Sequence, residues 1–217
     1  SPLICLLLIL SIGISHGSLD NIKGKKLFQI FGINNLSIFY LLYILTSITI
    51  IILWIIAPMF SLLIFLFIAS YHFGKEDTQF LIIKKSFFTQ LLYFIKGTLI
   101  ILAPMYFHFD ETVSIFKLLL VDNESFYKFL NFIETNRILY FGIVLVTLSN
   151  IFLFTKNFEF KKFTIFLDYF SILIINYYFS PLIAFTIYFC FLHSIRHSIS
   201  LMLELNENDL NIGFRLF

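Results

Sequence analysis

The chain has 217 residues, of which 59% are hydrophobic and 13% charged, and its formal net charge is +2. Soluble domains are about 45–50% apolar and about 25% charged, so this composition excludes an ordinary soluble protein and predicts an integral membrane protein. The small net charge and the lack of a basic, aromatic patch argue against a nucleic-acid partner, and the lipid bilayer is the expected surrounding.

Hydrophobic segments follow one another along the chain, and most approach the length of a membrane-spanning helix, about 20 apolar residues. The segments are the N-terminal stretch PLICLLLILSIGI, 36–57, 59–73, 87–107, 137–154, 163–180 and 182–203. This pattern predicts an all-α fold, a polytopic integral membrane helical bundle of about six to seven transmembrane helices. We expect residues 1–217 to form a single membrane-embedded domain, with truncation at one or both ends left open.

Charged residues between the segments predict how the chain crosses the membrane. Residues 110–135 mix acidic with apolar residues, as expected of an amphipathic connection at the membrane surface. Lysines cluster after the first, third and fifth segments, at Lys23, Lys25, Lys26, Lys75, Lys84, Lys85, Lys156, Lys161 and Lys162. Alternating crossings put these clusters on one side, which the positive-inside rule makes cytoplasmic. We therefore expect a multi-pass protein of the cell inner (plasma) membrane.

The histidines other than His108 fall at a similar predicted depth, in the cytoplasmic half of the membrane. At about 1.5 Å per helical residue, His72 lies roughly 20 Å from the outer end of its segment, His193 roughly 17 Å and His197 roughly 22 Å. His16 reaches a similar depth if the first helix starts at the N-terminus, whereas His108 ends its segment near the opposite face. His193 and His197 are one helical turn apart and therefore share a helix face.

The common depth of these histidines favours a metal site. Ionisable groups inside a membrane are costly and usually functional, and imidazoles suit Fe, Zn, Cu or Ni. For any single histidine the alternative of a hydrogen bond to a neighbouring helix stays open. A six-coordinate iron with imidazole ligands keeps open positions for O₂ beside a lipid-soluble substrate. The residues alone predict a membrane metalloenzyme, an oxygenase acting on a lipid, with these catalytic metal ligands: His16, His72, His193 and His197.

Carboxylates and glycines follow two of the predicted ligands. Asp20 comes four residues after His16, and Glu76 and Asp77 come four and five residues after His72. Such carboxylates can accept the second ring N–H of a ligating histidine, although facing water at a helix end explains them equally well. Gly74 can allow a backbone or a substrate to approach closely.

Four stretches of the chain carry a resemblance to a known family. In chain order they are SHGSLD, SYHFGKED, KGTLIILAPMYFH and YFCFLHSIRHSI. Over nearly its whole length the chain resembles the Brp/Blh family, the bacterial and archaeal β-carotene 15,15'-dioxygenases. Ser15 stands where that family commonly has Pro. Relatives also continue with further hydrophobic segments after the HSxRH-type motif.

The resemblance implies a membrane non-haem iron dioxygenase that cleaves β-carotene at the central 15,15' double bond with O₂ to give two all-trans-retinal. It implies Fe(2+) as the cofactor and a functional link to a microbial rhodopsin through retinal. The histidines that match its proposed iron ligands are His16, His72, His193 and His197. Aromatic candidates for a substrate tunnel are Tyr71, Phe73, Tyr188 and Phe191, although core packing or lipid contact explains any single one better.

Two alternatives from other functional classes remain. In a membrane transporter or channel, Lys96, Arg196 and the intramembrane histidines would form a pathway, but no internal repeat supports that interpretation. Each of these two basic residues is also explained by snorkelling to the membrane surface. In a lipid-modifying metalloenzyme such as a desaturase or hydroxylase, more clustered histidines are expected than the 5 in this chain.

Overall fold

The structure is a computed structural model that describes residues 1–17, 20–33, 35–81, 86–119, 123–156 and 158–205. Throughout these ranges the regular structure is helical, which confirms the predicted all-α class. Five helices are long and apolar enough to cross a membrane: Leu36–Ile56, Pro58–Glu76, Phe87–Phe107, Ile138–Thr155 and Pro181–Ile199. Shorter helices at Pro2–Gly17 and Phe163–Tyr178 correspond to the other two predicted segments. The chain is therefore a polytopic helical membrane protein.

The helices, in chain order, are α1 (Pro2–Gly17), α2 (Asp20–Ile30), α3 (Leu36–Ile56), α4 (Pro58–Glu76), α5 (Phe87–Gly97), α6 (Leu99–Phe107), α7 (Phe109–Leu118), α8 (Glu124–Thr135), α9 (Ile138–Thr155), α10 (Phe163–Tyr178), α11 (Pro181–Ile187) and α12 (Ser194–Leu205). A π-helical segment, Tyr188–His193, joins α11 to α12, and short 3₁₀ turns lie at Gln79–Leu81 and Phe160–Lys162.

Local sequence determines where several of these helices begin. Asn35, Ser86 and Asn123 each precede a helix, and the side-chain oxygen of each accepts a backbone N–H from the first turn. Such caps satisfy donors that a helix leaves unpaired at its start. Pro58 and Pro181 stand at the first position of α4 and α11, where the missing N–H has no cost. Each of these two prolines therefore marks the start of a new helix.

The chain divides into two compact units. The first unit contains Ser1–Ala57 and Phe189–Phe217, and within it α1 packs on α12 and α2 packs on α3. Cys5 and Cys190 are buried free thiols of this unit. The second unit is Pro58–Tyr188 and contains α4 to α11. Whether residues 1–217 act as one membrane domain stays a prediction.

The closest helix packing of the second unit is between α4 and α5. A Cβ atom built on Gly74 would lie 1.8 Å from the backbone oxygen of Tyr93, and one built on Gly97 would lie 1.7 Å from that of Ser70. No side chain fits at either glycine, so the two backbones are in direct contact. Small residues allow this kind of approach between membrane helices. The predicted close approach at Gly74 is thus confirmed, and the approaching group is a backbone.

The acidic stretch 110–135 forms the two short helices α7 and α8, apart from residues 120–122, which lie outside the described residues. Phe109, Val113 and Phe116 of α7 are buried, whereas Asp110 and Glu111 are exposed. In α8, Phe126 and Leu130 are the buried side chains. Both helices therefore have one apolar face and one polar face, which confirms the predicted amphipathic connection.

Candidate functional site

His193 and His197 lie side by side in the first unit. Their ring centroids are 6.1 Å apart and the rings are nearly parallel, with an interplanar angle of 5°. His193 is completely buried, and the ring of Phe189 stacks on it at 6.1 Å. His197 is half-buried. The predicted common helix face of the two histidines is therefore observed.

The backbone that carries His193 is not a regular α-helix. Residues Tyr188–His193 are π-helical, and α12 begins directly afterwards at Ser194. A π-helical turn has one extra residue per hydrogen-bonded ring, and such turns occur frequently at functional sites. The apolar sequence predicts only a continuous helix here, so this local rearrangement of the backbone was not predictable from hydropathy.

The other predicted ligands are less fully described. His72 lies on the last turns of α4, is half-buried, and has its ring centroid 5.6 Å from that of Phe73. His16 lies on α1, but its side chain and that of Asp20 are outside the described side chains. Among the side chains that the structure does describe, no group of three or more His, Cys, Asp or Glu forms a metal site. The ligand set of four histidines stays a prediction.

The donor chemistry of the described histidines fits iron. Neutral imidazole nitrogen is a donor that suits iron as well as zinc, copper and nickel. His193 and His197 present two such rings from one face of one helix, with the inner ring fully shielded from solvent. Two imidazoles on one helix face are what the predicted ligand set requires of this helix.

His108 acts as a link between helices. Its Nε2 lies 2.9 Å from the backbone oxygen of Asn176, and its Nδ1 lies 3.8 Å from a carboxylate oxygen of Glu111. Asn176 is in the last turn of α10, where carbonyl groups lack partners within the helix. A ring N–H that donates to this carbonyl satisfies it. The alternative left open for any single histidine, a hydrogen bond to a neighbouring helix, matches these contacts of His108.

Asp77 is buried and contacts a tyrosine from another helix. Only 4% of Asp77 is exposed, and its Oδ2 accepts a 2.7 Å hydrogen bond from the hydroxyl of Tyr188, which is 3% exposed. The alternative that this carboxylate faces water at a helix end is therefore wrong. The ring of Phe73 packs edge-on against the ring of Tyr188 at 5.7 Å.

Lys96 is buried inside the second unit and does not snorkel. Its Nζ donates to Thr78 Oγ1 at 2.9 Å and lies 3.6 Å from a carboxylate oxygen of Asp168. Lys96 is 6% exposed, Thr78 0% and Asp168 7%. A cation at membrane depth is tolerated when it is paired in this way. Sequence reasoning missed Asp168, although a single acid within the apolar segment 163–180 was a usable signal.

An apolar cavity of about 210 Å³ lies in the second unit between α4, α6, α7 and α11. Its lining includes Phe65, Phe73, Ile101, Phe116 and Phe185. Of the predicted tunnel aromatics, Phe73 belongs to this lining; the other three lie elsewhere. Tyr188 is in the buried core, Tyr71 hydrogen-bonds Gln90, and Phe191 is 51% exposed.

The hydroxyl groups in the cavity lining have partners in their own helices. Ser70 Oγ donates to the backbone oxygen of Leu66, and Thr112 Oγ1 donates to that of His108, both at 2.8 Å. The cavity therefore presents a hydrocarbon surface. One end of it adjoins Phe73, the neighbour of His72 in both sequence and ring contact.

Comparison with known proteins identifies relatives over most of the chain. A family model described as beta-carotene 15,15'-dioxygenase matches residues 7–216. A beta-carotene 15,15'-dioxygenase from the uncultured marine bacterium 66A03 is 27% identical over 205 residues, which are 88% of this chain and 66% of that relative. The chain thus spans just under two thirds of the relative's length. No solved structure matches the chain.

Proposed function

The chain belongs to the family of β-carotene 15,15'-dioxygenases, and from this premise we propose that it cleaves β-carotene at the central 15,15' double bond with O₂. The products are two molecules of all-trans-retinal. The observation that carries this proposal is the family match over residues 7–216, which includes every predicted ligand histidine. The apolar, membrane-spanning helices support it, because β-carotene is soluble in the lipid phase and hardly at all in water.

The proposed cofactor is Fe(2+), held by His16, His72, His193 and His197. The parallel rings of His193 and His197, 6.1 Å apart, support this assignment for two of the four ligands. When bound, iron would supply the oxygen chemistry, for which protein side chains have no equivalent. The protein contributes the ligands, the orientation of the substrate and a site shielded from water.

The apolar cavity next to Phe73 is the proposed place for one end of the polyene. Its volume of about 210 Å³ is below the ~300–1,000 Å³ of a complete small-molecule site, so it would hold only part of the substrate. β-Carotene offers no polar group, and its position must therefore come from the shape of the cavity wall. The hydroxyl groups of the lining already donate to backbone carbonyl groups, so the wall favours a hydrocarbon over water.

The proposed location is the inner (plasma) membrane, with the metal site in the cytoplasmic half. The lysine clusters between the hydrophobic segments support this orientation. Retinal released there would be available to a microbial rhodopsin in the same membrane.

The proposed function is tested by expressing the chain in bacteria that accumulate β-carotene and separating the extracted pigments by chromatography. We expect all-trans-retinal to appear as β-carotene falls, and the purified chain to contain iron. His72→Ala should abolish retinal formation, because it removes a proposed ligand. His108→Ala is the matched control, since it removes a histidine that links α6 to α10, and we expect it to retain most of the activity.

Two results would contradict the proposal. A folded wild-type chain that yields no retinal would exclude the reaction, and full activity of His72→Ala would exclude the ligand assignment. Retinal without longer apocarotenoid products would support cleavage at the central double bond.

A further inference from the structure

The buried hydrogen bond between Asp77 and Tyr188 connects two segments that bear directly on the proposed iron site. Asp77 follows the end of α4, and its backbone N–H still bonds to the carbonyl of Phe73, one helical turn back. Tyr188 is the first residue of the π-helical segment. The 2.7 Å bond from the tyrosine hydroxyl to the carboxylate thus joins the end of one helix to the start of another. A hydrogen bond to a carboxylate in such a buried place is stronger than a neutral one.

Tyr188 contacts both the last turn of α4 and the residue that follows it. Besides the hydrogen bond to Asp77, its ring packs edge-on against Phe73, with centroids 5.7 Å apart and an interplanar angle of 80°. Phe73 and Asp77 are four residues apart and so lie on the same face of the chain. The ring of Phe73 also contacts the ring of His72. Phe73 therefore contacts both Tyr188 and a proposed ligand, His72.

A second set of contacts holds Asp77 itself in place. Thr78, the next residue, is fully buried and accepts a hydrogen bond from Lys96 of α5. Lys96 in turn pairs with Asp168 of α10. The turn that follows α4 is thus held by Lys96 of α5, which is itself paired with α10, and this turn carries the carboxylate that holds Tyr188.

The tyrosine at the other end of the bond begins an unusual piece of backbone. The π-helical segment runs from Tyr188 to His193, so its last residue is a proposed ligand. A π-helical turn is intrinsically less stable than an α-helical one and persists where tertiary contacts hold it. Tyr188 and the proposed ligand His193 are thus the two ends of one continuous helical segment.

We infer that Asp77 and Tyr188 are positioning residues for the proposed iron ligands: their hydrogen bond holds the residue that follows the His72 helix α4 against the first residue of the π-helical segment, which ends at His193. This inference rests on the proposed function. Neither residue is a ligand. Loss of the bond should therefore weaken iron binding without removing any donor, by about tenfold or more, as loss of outer-shell contacts typically does.

The test compares the iron affinity of purified variants by competition with a chelator, together with their thermal unfolding midpoints. Tyr188→Phe removes the hydroxyl and keeps the ring, and Asp77→Ala removes the acceptor. We expect both to bind iron at least about tenfold more weakly. Asp77→Asn keeps an acceptor oxygen and should recover most of the affinity. The double variant Asp77→Ala/Tyr188→Phe should bind no more weakly than the weaker single variant, because both changes remove the same bond.

Tyr169→Phe is the matched control. Tyr169 is 6% exposed, and its hydroxyl lies 2.6 Å from that of Thr147, so this variant also deletes one buried tyrosine hydrogen bond of the second unit. A purely structural role for Tyr188 predicts that both tyrosine variants lower the unfolding midpoint and leave iron affinity unchanged. We expect only Tyr188→Phe to weaken iron binding.

The outcomes distinguish this inference from the proposed function. A folded wild-type chain that binds no iron overturns the iron site, and the inference with it. If the wild-type chain binds iron and Tyr188→Phe binds it equally well, only the inference is overturned. Weaker binding by Tyr188→Phe and Asp77→Ala, with recovery in Asp77→Asn, supports it.

Discussion

The helix α3 and the span Phe87–Phe107 have the same length, 21 residues, but differ in how far they are buried in the protein. In the most apolar stretch of α3 none of the residues is buried, whereas in that of Phe87–Phe107 39% are buried. The hydroxyls of Thr46, Ser47 and Thr49 in α3 bond to carbonyls of their own helix. In the other span, Lys96 has its partners outside its own helix, at Thr78 in the turn after α4 and at Asp168 of α10.

This difference shows that, in a membrane protein, a high hydropathy of a helix does not mean that its side chains are buried in the protein. The most uniformly apolar helix is the one whose side chains remain exposed, because lipid accepts apolar side chains as readily as a protein core does. The span Phe87–Phe107, which contains Lys96 and is divided into α5 and α6, is the one that packs against other helices. Polar groups in lipid must be satisfied, and only neighbouring helices can do this for a long, charged side chain.

The largest effect expected from breaking this packing comes from Gly97→Ala. The new Cβ would lie 1.7 Å from the backbone oxygen of Ser70, which cannot move without displacing α4. We expect the destabilisation to reach or exceed the ~3 kcal/mol upper end of ordinary overpacking, with little folded protein recovered. The measurement is the yield and unfolding midpoint of the detergent-purified chain.

Gly142→Ala is the control for that substitution. Its Cβ would lie 3.0 Å from the Cδ1 of Leu102, the flexible end of a side chain. We expect a near-normal yield from Gly142→Ala, and equal yields from the two variants would contradict a backbone contact between α4 and α5.

The next largest effect concerns the buried charge. Lys96→Met leaves the buried carboxylate of Asp168 without its cation, which typically costs about 3–5 kcal/mol. The double variant Lys96→Met/Asp168→Leu removes both charges and should be more stable than Lys96→Met alone. Thermal unfolding of the three proteins measures this. A double variant less stable than Lys96→Met alone would contradict the pairing of the two charges.

A matched pair of leucines tests the comparison directly. Leu99 in α6 is 1% exposed and Leu41 in α3 is 58% exposed. Leu99→Ala should cost about 2–3 kcal/mol because it leaves a cavity, whereas Leu41→Ala should cost less than about 0.5 kcal/mol because lipid or detergent fills the space. Unfolding midpoints in the same detergent check this. Similar losses at both positions would mean that α3 is packed.

The smallest effect is expected at an exposed ion pair. A hydrogen bond from Lys161, and then its charge, lower the pKa of Glu159 below its ordinary value. Because the folded-state pKa is depressed, this contribution is present above the unfolded-state pKa and is lost as the pH falls through the folded-state pKa. Glu159→Gln should lower the unfolding midpoint slightly at neutral pH and not at all in acid. A difference that grows in acid would contradict this sign.

How much of the candidate site could be predicted depends on whether the information is local. The shared face of His193 and His197 follows from a spacing of one helical turn, and their parallel rings agree with it. Their relation to His16 and His72 depends on contacts between distant parts of the chain, and the four-ligand site stays a prediction. The sequence also suggested a carboxylate near His72 without identifying the partner of Asp77, because Tyr188 is far away in the sequence.

The sequence by itself determined the membrane class, the apolar segments and several helix starts. Composition, hydrophobic length and capping residues such as Asn35 and Ser86 act over a few neighbouring residues, so they can be interpreted without the fold. Only the tertiary structure decided that Lys96 is buried against Asp168, that Gly74 and Gly97 allow two backbones to touch, and that Tyr188 begins a π-helical turn. These features arise where faces of separate helices meet, and close packing between distant segments leaves no periodic signal in the sequence.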